Sequence, residues 1–501
     1  MTLKTQPARV RFAPSPTGRT HLGSGRTALY NYLLARQTGG QFILRIEDTD
    51  QKRYVSGAEE ELMEGLRWLG LSWDEGPDMG GPRGPYRQTE RREIYQNYAR
   101  ELIESGHAYY CFCPTPKADD ANSAPEQRQQ HRDICLSREL PIAEADSRIA
   151  AGEAHTIRFK MPRDGNITVT DALRGNITVE NSTLDDYVLV KSDGLPVYHL
   201  AVVIDDHLME ITHAIRTSEW LPTFPLHGHI YYAFGWEQPV WIHPSIFLKP
   251  DGKGKMSKRD TDALLEEGKS IFLGDFDKMG YLPEAVINWA ALIGWSYDDK
   301  TEFFTLEDLV EKFSVEKLNP SPAAINFSKL DHFNGLHIRA LSVDDLAERI
   351  RPFFVQAGYQ INDDEKLRQV AEVLQIRLGN LAEAPEKGGF FFNDEIHPEP
   401  ESLVGKKMTA SESLAMARHI QTLIQSLPDF SEETANQPLR DLATELGLKA
   451  GHVFGFLRNA LTAQQVSPPV FETMTIIGRK KVLERINNAI ATLEELALNS
   501  P

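Results

Sequence analysis

The chain has 501 residues, room for several domains of ~100–200 residues each, and its 41% hydrophobic and 25% charged content excludes a disordered or fibrous chain. No run of about 18 apolar residues occurs, MTLKTQPARV lacks the apolar core of a secretory signal, and three cysteines, an odd number, argue for a reducing compartment; a soluble cytoplasmic protein is expected, with no membrane partner. The formal charge of −18 speaks against nonspecific polyanion binding, although clusters such as Arg83/Arg87/Arg91/Arg92 and Lys249/Lys253/Lys255/Lys258/Arg259 could supply a local positive field.

The chain is organised around residues 11–50. Pro14-Ser15-Pro16-Thr17-Gly18 is a rigid exposed turn, and His21-Leu22-Gly23-Ser24 leads into a helical period of Leu29, Leu33 and Leu34 stopped by Gly39-Gly40. A Gly/Ser-rich helix start offers backbone N–H groups and the positive end of the helix dipole, which suits a phosphate. Phe42-Ile43-Leu44 with Ile46 predicts a short buried strand ending in Glu47-Asp48-Thr49-Asp50, where open α/β sheets hold their ligands. Residues 57–70 read as a helix with Leu62, Leu66 and Leu69 on one face, and residues 74–84 as a Gly/Pro-rich loop. Residues 90–105 read as a second helix with Ile94, Tyr98 and Leu102 inward. Strand–helix alternation predicts the first half of a doubly wound domain over residues 1–110.

The character changes over residues 111–197. Residues 117–138 are polar and read as a surface insertion, and residues 155–160 alternate as a strand. GNITV occurs twice, at 165–169 and 175–179, as two antiparallel strands. Residues 198–206 (YHLAVVIDD) read as an apolar strand opening the second half of the α/β domain, 198–250. Asp205-Asp206-His207 cannot all face one way on a strand, so these residues are read as structural or positioning. Residues 251–333 carry a lysine-rich loop and helix-spaced apolar stripes, with Asn319-Pro320-Ser321-Pro322 as a boundary signal. Amphipathic helices, among them residues 363–384 and 480–498, fill two final segments, 334–405 and 406–501.

The order of these parts resembles a known family. Residues 14–24 resemble the "HIGH" element of class I aminoacyl-tRNA synthetases, and Lys255-Met256-Ser257-Lys258-Arg259 resembles its "KMSKS" loop. RFAPSPTG, RIEDTD, GPYRQTER, YHLAVVIDDHLM, IRTSEW and SPPVFETM are similar to bacterial glutamyl-tRNA synthetases, so the likeness runs along essentially the whole chain. It implies an α/β Rossmann-type catalytic domain with an inserted α+β domain that grips the tRNA acceptor end, followed by a stem-contact region and an all-helical anticodon-binding region. The implied reaction joins glutamate to ATP as an adenylate and then passes glutamyl to glutamate tRNA. The partners are ATP with Mg²⁺, L-glutamate and tRNA, with no DNA, and a monomer is the default.

The family's roles carry over by position. His21, Lys255 and Lys258 would stabilise charge on the phosphates, with Pro14, Gly23, Ser24 and Ser257 completing the ATP site. Arg11, Ala13, Ser15, Glu47, Tyr198 and Arg216 would hold glutamate, with Arg11 and Arg216 taking its carboxylates and Glu47 its amine. Arg216, able to pair bidentately with a carboxylate, would set specificity against glutamine. Val202 departs from the family, which often has asparagine there. Cys111, Cys113 and Cys135 resemble a zinc site found in some members. The fourth ligand is missing from that pattern: Ser137 stands where histidine would, and His131 is spaced differently. Arg377 falls where glutamate-specific members carry an arginine reading the first anticodon base. A non-discriminating enzyme that also charges glutamine tRNA, and a small-molecule nucleotidyltransferase, are the rivals; the second has no use for the helical third.

Overall fold

The computed structural model describes residues 6–113, 131–256 and 258–499. The chain divides into two compact units, Met1–Phe276 with Pro283–Leu330, and Asp277–Leu282 with Asp331–Pro501.

The first unit opens with a β–α–β element. Strands β1 (Arg9–Phe12) and β2 (Gln41–Leu44) run parallel, in register from Arg9↔Gln41 to Phe12↔Leu44. The Leu22–Thr38 helix joins them and buries Leu29, Leu33 and Leu34, as their spacing predicts. Gly39 ends it in the left-handed region at φ 66°, where its N–H reaches the Ala35 and Arg36 carbonyls and a side chain would be strained. The Ala58–Trp68 and Arg92–Glu104 helices follow. In the second, Tyr95, Ala99, Leu102 and Ile103 are deepest, while Ile94 and Tyr98 flank the core; the buried face is turned by about one residue from the predicted one.

The next strands are β3 (Ala108–Cys111), β4 (Thr156–Phe159), β5 (Asn166–Asp171), β6 (Gly175–Glu180) and β7 (Val188–Val190). Strands β3, β4 and β7 form one antiparallel sheet. The two GNITV copies are β5 and β6, an antiparallel hairpin with Ile167 opposite Val179. With β8 (His213–Ile215) and β9 (Val240–Ile242) the hairpin makes a sheet of order β6-β5-β9-β8, so it extends the α/β sheet rather than staying in the insertion. The Thr212 N–H donates to the Arg9 carbonyl at 2.9 Å, bringing β8 beside β1. Of the polar stretch 117–138, residues 117–130 lie outside the described residues. Residues 131–138 are more than surface, for Arg132, Cys135 and Arg138 are buried.

Residues 198–206 form no strand: Tyr198–Leu208 is an α-helix, buried on nearly every side from Leu200 to Asp206. A continuous apolar run has no periodicity to separate a buried helix from a buried strand. Strand β10 (Phe247–Leu248) pairs in parallel with β11 (Ala323–Ala324), directly after Asn319-Pro320-Ser321-Pro322. That proline-rich stretch therefore returns the chain to the first unit, and the division falls later, at Leu330/Asp331.

The second unit is helical throughout its described residues. The predicted 363–384 helix stops earlier, as Asp364–Gln375, because Gly379-Asn380 break it and the Asn380 side chain caps the next turn. The final helix, Val470–Asn499, is interrupted at Gly478 (φ 80°, ψ 156°). Among the described residues no helix is long and apolar enough to cross a membrane.

Candidate active site

A cleft of about 810 Å³ opens in the first unit, a volume suited to a nucleotide-sized ligand. Arg11, Ala13, Ser15, Glu47, Tyr198 and Arg216 all line it. So do Pro14, His21, Gly23, Ser24 and Lys255, and the two expected sets therefore share one cavity. Ser257 lies outside the described residues, as does the side chain of Lys258, which begins the Lys258–Glu266 helix.

The helix start differs from the expected cradle of free N–H groups. The His21 Nδ1 accepts from the Gly23 N–H at 3.1 Å, and the His21 carbonyl accepts from Ser24 and Gly25. The Leu22 N–H donates to Ile271 O at 2.6 Å. The first turn is capped internally, which leaves the dipole but removes the donors. The cap also fixes the tautomer, because an accepting Nδ1 puts the proton on Nε2. Burial, and then the Lys255 ammonium, hold His21 below its ordinary range, so it is a neutral Nε2–H donor at pH 7. Gly23 has a local reason too: a Cβ there would stand 3.0 Å from the His21 ring. Lys255 is exposed and paired with Glu219, another cleft residue.

Beneath the cleft lies a buried charge network that the sequence did not reveal. Arg11 holds Asp206 bidentately at 2.9 and 3.0 Å and donates to Ile215 O at 3.2 Å. Three of a guanidinium's five donors are thus engaged, so Arg11 is not the unencumbered cation expected. Arg45, fully buried, reaches Asp206 at 2.8 Å and Glu47 at 3.1 Å. Asp205 accepts from Arg91 at 2.8 Å, Gln88 at 2.9 Å and Tyr95 at 2.8 Å. The structural role expected for Asp205 and Asp206 holds, while His207 is exposed and stacks on Trp236. Burial pushes Glu47 up against the pull of Arg45, Arg216 and Arg11.

Arg216 stands apart. It is buried, its Nε and Nη1 have no hydrogen-bond partner among the described residues, and its guanidinium carbon lies 5.0 Å from the centre of the Tyr198 ring and 5.3 Å from that of Trp220. Burial, with Arg11 nearby, pushes it down to about 9, against the pull of Glu47. The Tyr198 hydroxyl is also buried without a partner among the described residues. In this set four guanidinia (Arg11, Arg45, Arg91, Arg216) face three carboxylates (Glu47, Asp205, Asp206), leaving one positive charge uncompensated. A buried guanidinium with open donors is a site for an anion.

A second constellation lies in the insertion. The ligand atoms of Cys111, Cys113, His131 and Cys135 all fall within 4.8 Å of one another. Cys111 Sγ is 3.3 Å from His131 Nε2 and 3.7 Å from Cys135 Sγ, and Cys113 Sγ is 3.4 Å from Cys135 Sγ. A tetrahedral zinc with ordinary bond lengths sets its ligands about 3.5–3.8 Å apart, so four donors of the right type fit the ion. The fourth donor of the cluster is His131, one helical turn before Cys135 on a short helix whose first N–H groups donate to Asp185. Ser137 has another partner: its Oγ accepts from the Phe112 N–H at 3.2 Å.

The family model for the catalytic domain of class I tRNA synthetases (E and Q) matches residues 7–332, and that for an anticodon binding domain matches residues 345–490. A glutamate–tRNA ligase of Dehalococcoides mccartyi is 44% identical over 499 residues, covering 98% of this chain and 99% of its own. One of Roseiflexus castenholzii is 43% identical and covers 97% of both chains. A crystal structure of a glutamate tRNA ligase from Elizabethkingia meningosepticum, in complex with its amino acid, superposes with a TM-score of 0.89 at 38% identity over 97% of this chain and 100% of that one. The chain belongs to the glutamate–tRNA ligase family. In this family member the catalytic match ends two residues past the division of the chain at Leu330, and the anticodon match lies wholly in the helical unit. There Arg377 occupies the turn after the Asp364–Gln375 helix, half buried, rather than a helical surface; its carbonyl accepts from Lys387 at 2.6 Å.

Proposed function

We infer that this chain activates L-glutamate with ATP and transfers it to glutamate tRNA. The observation that carries this is the Arg216 guanidinium, its Nε and Nη1 open among the described residues, sharing a cleft with Glu47, His21 and Lys255. Glutamate brings the side-chain carboxylate that the open Arg216 donors can pair with, whereas glutamine brings a neutral amide. The side-chain carboxylate pairs with Arg216 and the amine with Glu47, and the α-carboxylate takes the donors that Arg11 has left. One α-carboxylate oxygen then attacks the α-phosphorus of ATP as the bond to pyrophosphate breaks. In-line displacement asks of the protein alignment and charge stabilisation. The His21 Nε2–H donates to a phosphate oxygen, and Lys255, with Lys258 at the start of the helix that follows its loop, takes up negative charge on the departing pyrophosphate. A terminal tRNA hydroxyl next attacks the glutamyl carbonyl, and AMP leaves.

ATP enters as its Mg²⁺ complex, so that ion belongs to the substrate. Zinc bound by Cys111, Cys113, His131 and Cys135 would close all four positions and act structurally, joining the end of β3 to the short His131 helix. Arg377 reads the anticodon and restricts charging to glutamate tRNA.

The test is aminoacylation with labelled glutamate, ATP and Mg²⁺, on separate glutamate and glutamine tRNA transcripts, beside Lys258→Ala. Charging of glutamate tRNA alone, lost in the variant, is expected. Charging of both tRNAs would remove the Arg377 role, and charging of neither by folded, ATP-binding protein would overturn the ligase function.

A further inference from the structure

We propose that Arg45 is a positioning residue which holds Glu47 in place and in its charged form as the acceptor for the substrate's ammonium group. The proposal rests on the glutamate site just described.

Arg45 is not part of the cleft wall; it lies behind Glu47 with no exposure at all. Its guanidinium faces three carboxylates: Nη2 lies 3.1 Å from Glu47 Oε1, Nη1 lies 2.8 Å from Asp206 Oδ1, and Nε lies 3.7 Å from Asp205 Oδ2. Both aspartates come from the Tyr198–Leu208 helix and are themselves fixed, Asp206 by the Arg11 fork and Asp205 by Arg91, Gln88 and Tyr95. The Arg45 fork therefore cannot rotate without breaking a buried ion pair, and it passes that rigidity to Glu47.

The Glu47 carboxylate has one hydrogen-bonded cation among the described residues, and that cation is Arg45. The other charges facing it are Arg11 from β1, bound to Asp206, and Arg216 just after β8. A buried carboxylate without a paired cation takes up a proton, and a neutral Glu47 is a poor acceptor for an ammonium group. Burial already pushes Glu47 up, so weakening the Arg45 contact moves protonation further toward the working pH. The direction follows: the penalty on glutamate binding grows as pH falls and shrinks as pH rises. Lysine at this position keeps a charge but has no planar fork to span Glu47 and Asp206 together.

The experiment measures aminoacylation by the full chain with glutamate tRNA transcript and saturating Mg²⁺-ATP, varying glutamate at about pH 6 and about pH 8.5. The proteins are wild type, Arg45→Lys, Arg45→Gln, Glu47→Gln and the two double variants. In Arg45→Lys the glutamate KM should rise at least about tenfold, more at the acid pH, with kcat and the ATP KM within about threefold of wild type. In the Glu47→Gln background the same change should alter the glutamate KM by less than about threefold, because Arg45 acts through Glu47. An equal KM rise in both backgrounds, a loss shared by kcat and the ATP KM, or an unchanged glutamate KM would overturn the proposal. If Arg45→Gln fails to fold, the lysine variant, which preserves the buried charge, decides the comparison alone. Failure of wild type to charge any tRNA would instead overturn the glutamate site itself.

Discussion

Replacing Arg216 with methionine, a side chain of similar reach and no charge, should abolish the discrimination between glutamate and glutamine. In the wild type, Arg216 is buried with Nε and Nη1 open among the described residues, and Glu47, the carboxylate whose charge acts on it, is hydrogen-bonded to Arg45 instead. Glutamate fills the open donors, whereas glutamine leaves a buried guanidinium without an anion. Breaking one half of such a buried pair costs roughly 3–5 kcal/mol, which at ~1.4 kcal/mol per decade is a factor of about one hundred to a few thousand. The same cost applies in reverse to Arg216→Met with glutamate, whose side-chain carboxylate would be buried without a cation. Steady-state aminoacylation with each amino acid at saturating ATP and tRNA measures both. We expect kcat/KM for glutamate to fall by that factor, the glutamate-to-glutamine ratio to fall below about ten, and the ATP KM to stay within about threefold. A glutamate kcat/KM within about fivefold of wild type, or a ratio that survives, would refute the assignment of Arg216 to the side-chain carboxylate.

Three further outcomes follow from the same geometry. His21→Asn retains a side chain able to cap the helix but loses the Nε2–H, so kcat should fall ~10²–10³-fold while the melting temperature holds; His21→Ala should lose both, the cap being worth ~1 kcal/mol. Elemental analysis should find one zinc per chain, lost in His131→Ala and Cys135→Ser and retained in Ser137→Ala, because Ser137 Oγ bonds Phe112 instead. Burial alone would raise Asp206, but Arg11 and Arg45 outweigh it and hold the group below the usual carboxylate range. Its stabilising contribution is therefore complete above the unfolded value near ~3.9 and lost as pH falls through the folded value. Acid unfolding should steepen there, and Asp206→Asn should destabilise the fold by ~3–5 kcal/mol at neutral pH by leaving Arg11 and Arg45 short of a buried partner.

How much was legible in the sequence depended on whether a residue's neighbours were local. The turn, helix and strand from Pro14 to Glu47 follow from proline, glycine and apolar spacing, and the cleft gathers every described residue expected there. The Tyr198–Leu208 helix is indistinguishable from a strand in the sequence because an apolar run buried on nearly every side carries no period. On that helix Asp205 reaches Arg91, Asp206 reaches Arg11, and both face Arg45, rather than lying on opposite faces of a sheet. Arg45 leaves one signal in the sequence, a charge inside the apolar stretch FILRIED: arginine is almost never fully buried unless paired. His131 falls outside the family pattern, which expects its histidine after Cys135; a spacing of four residues before Cys135 brings it into the same cluster. The internal capping of the Leu22–Thr38 helix by His21 depends on a side-chain rotamer, which no sequence pattern states.

Under the proposed function, one cleft holds glutamate at Arg216 and Glu47 and the nucleotide at His21 and Lys255. Calorimetric binding of a non-hydrolysable glutamyl-adenylate analogue, a glutamyl sulfamoyl-adenosine, tests it most directly. The analogue should bind one per chain, more tightly than glutamate or ATP alone, and weaken by about one hundred fold or more in Arg216→Met. Binding no tighter than ATP, or equally tight in Arg216→Met, would contradict it.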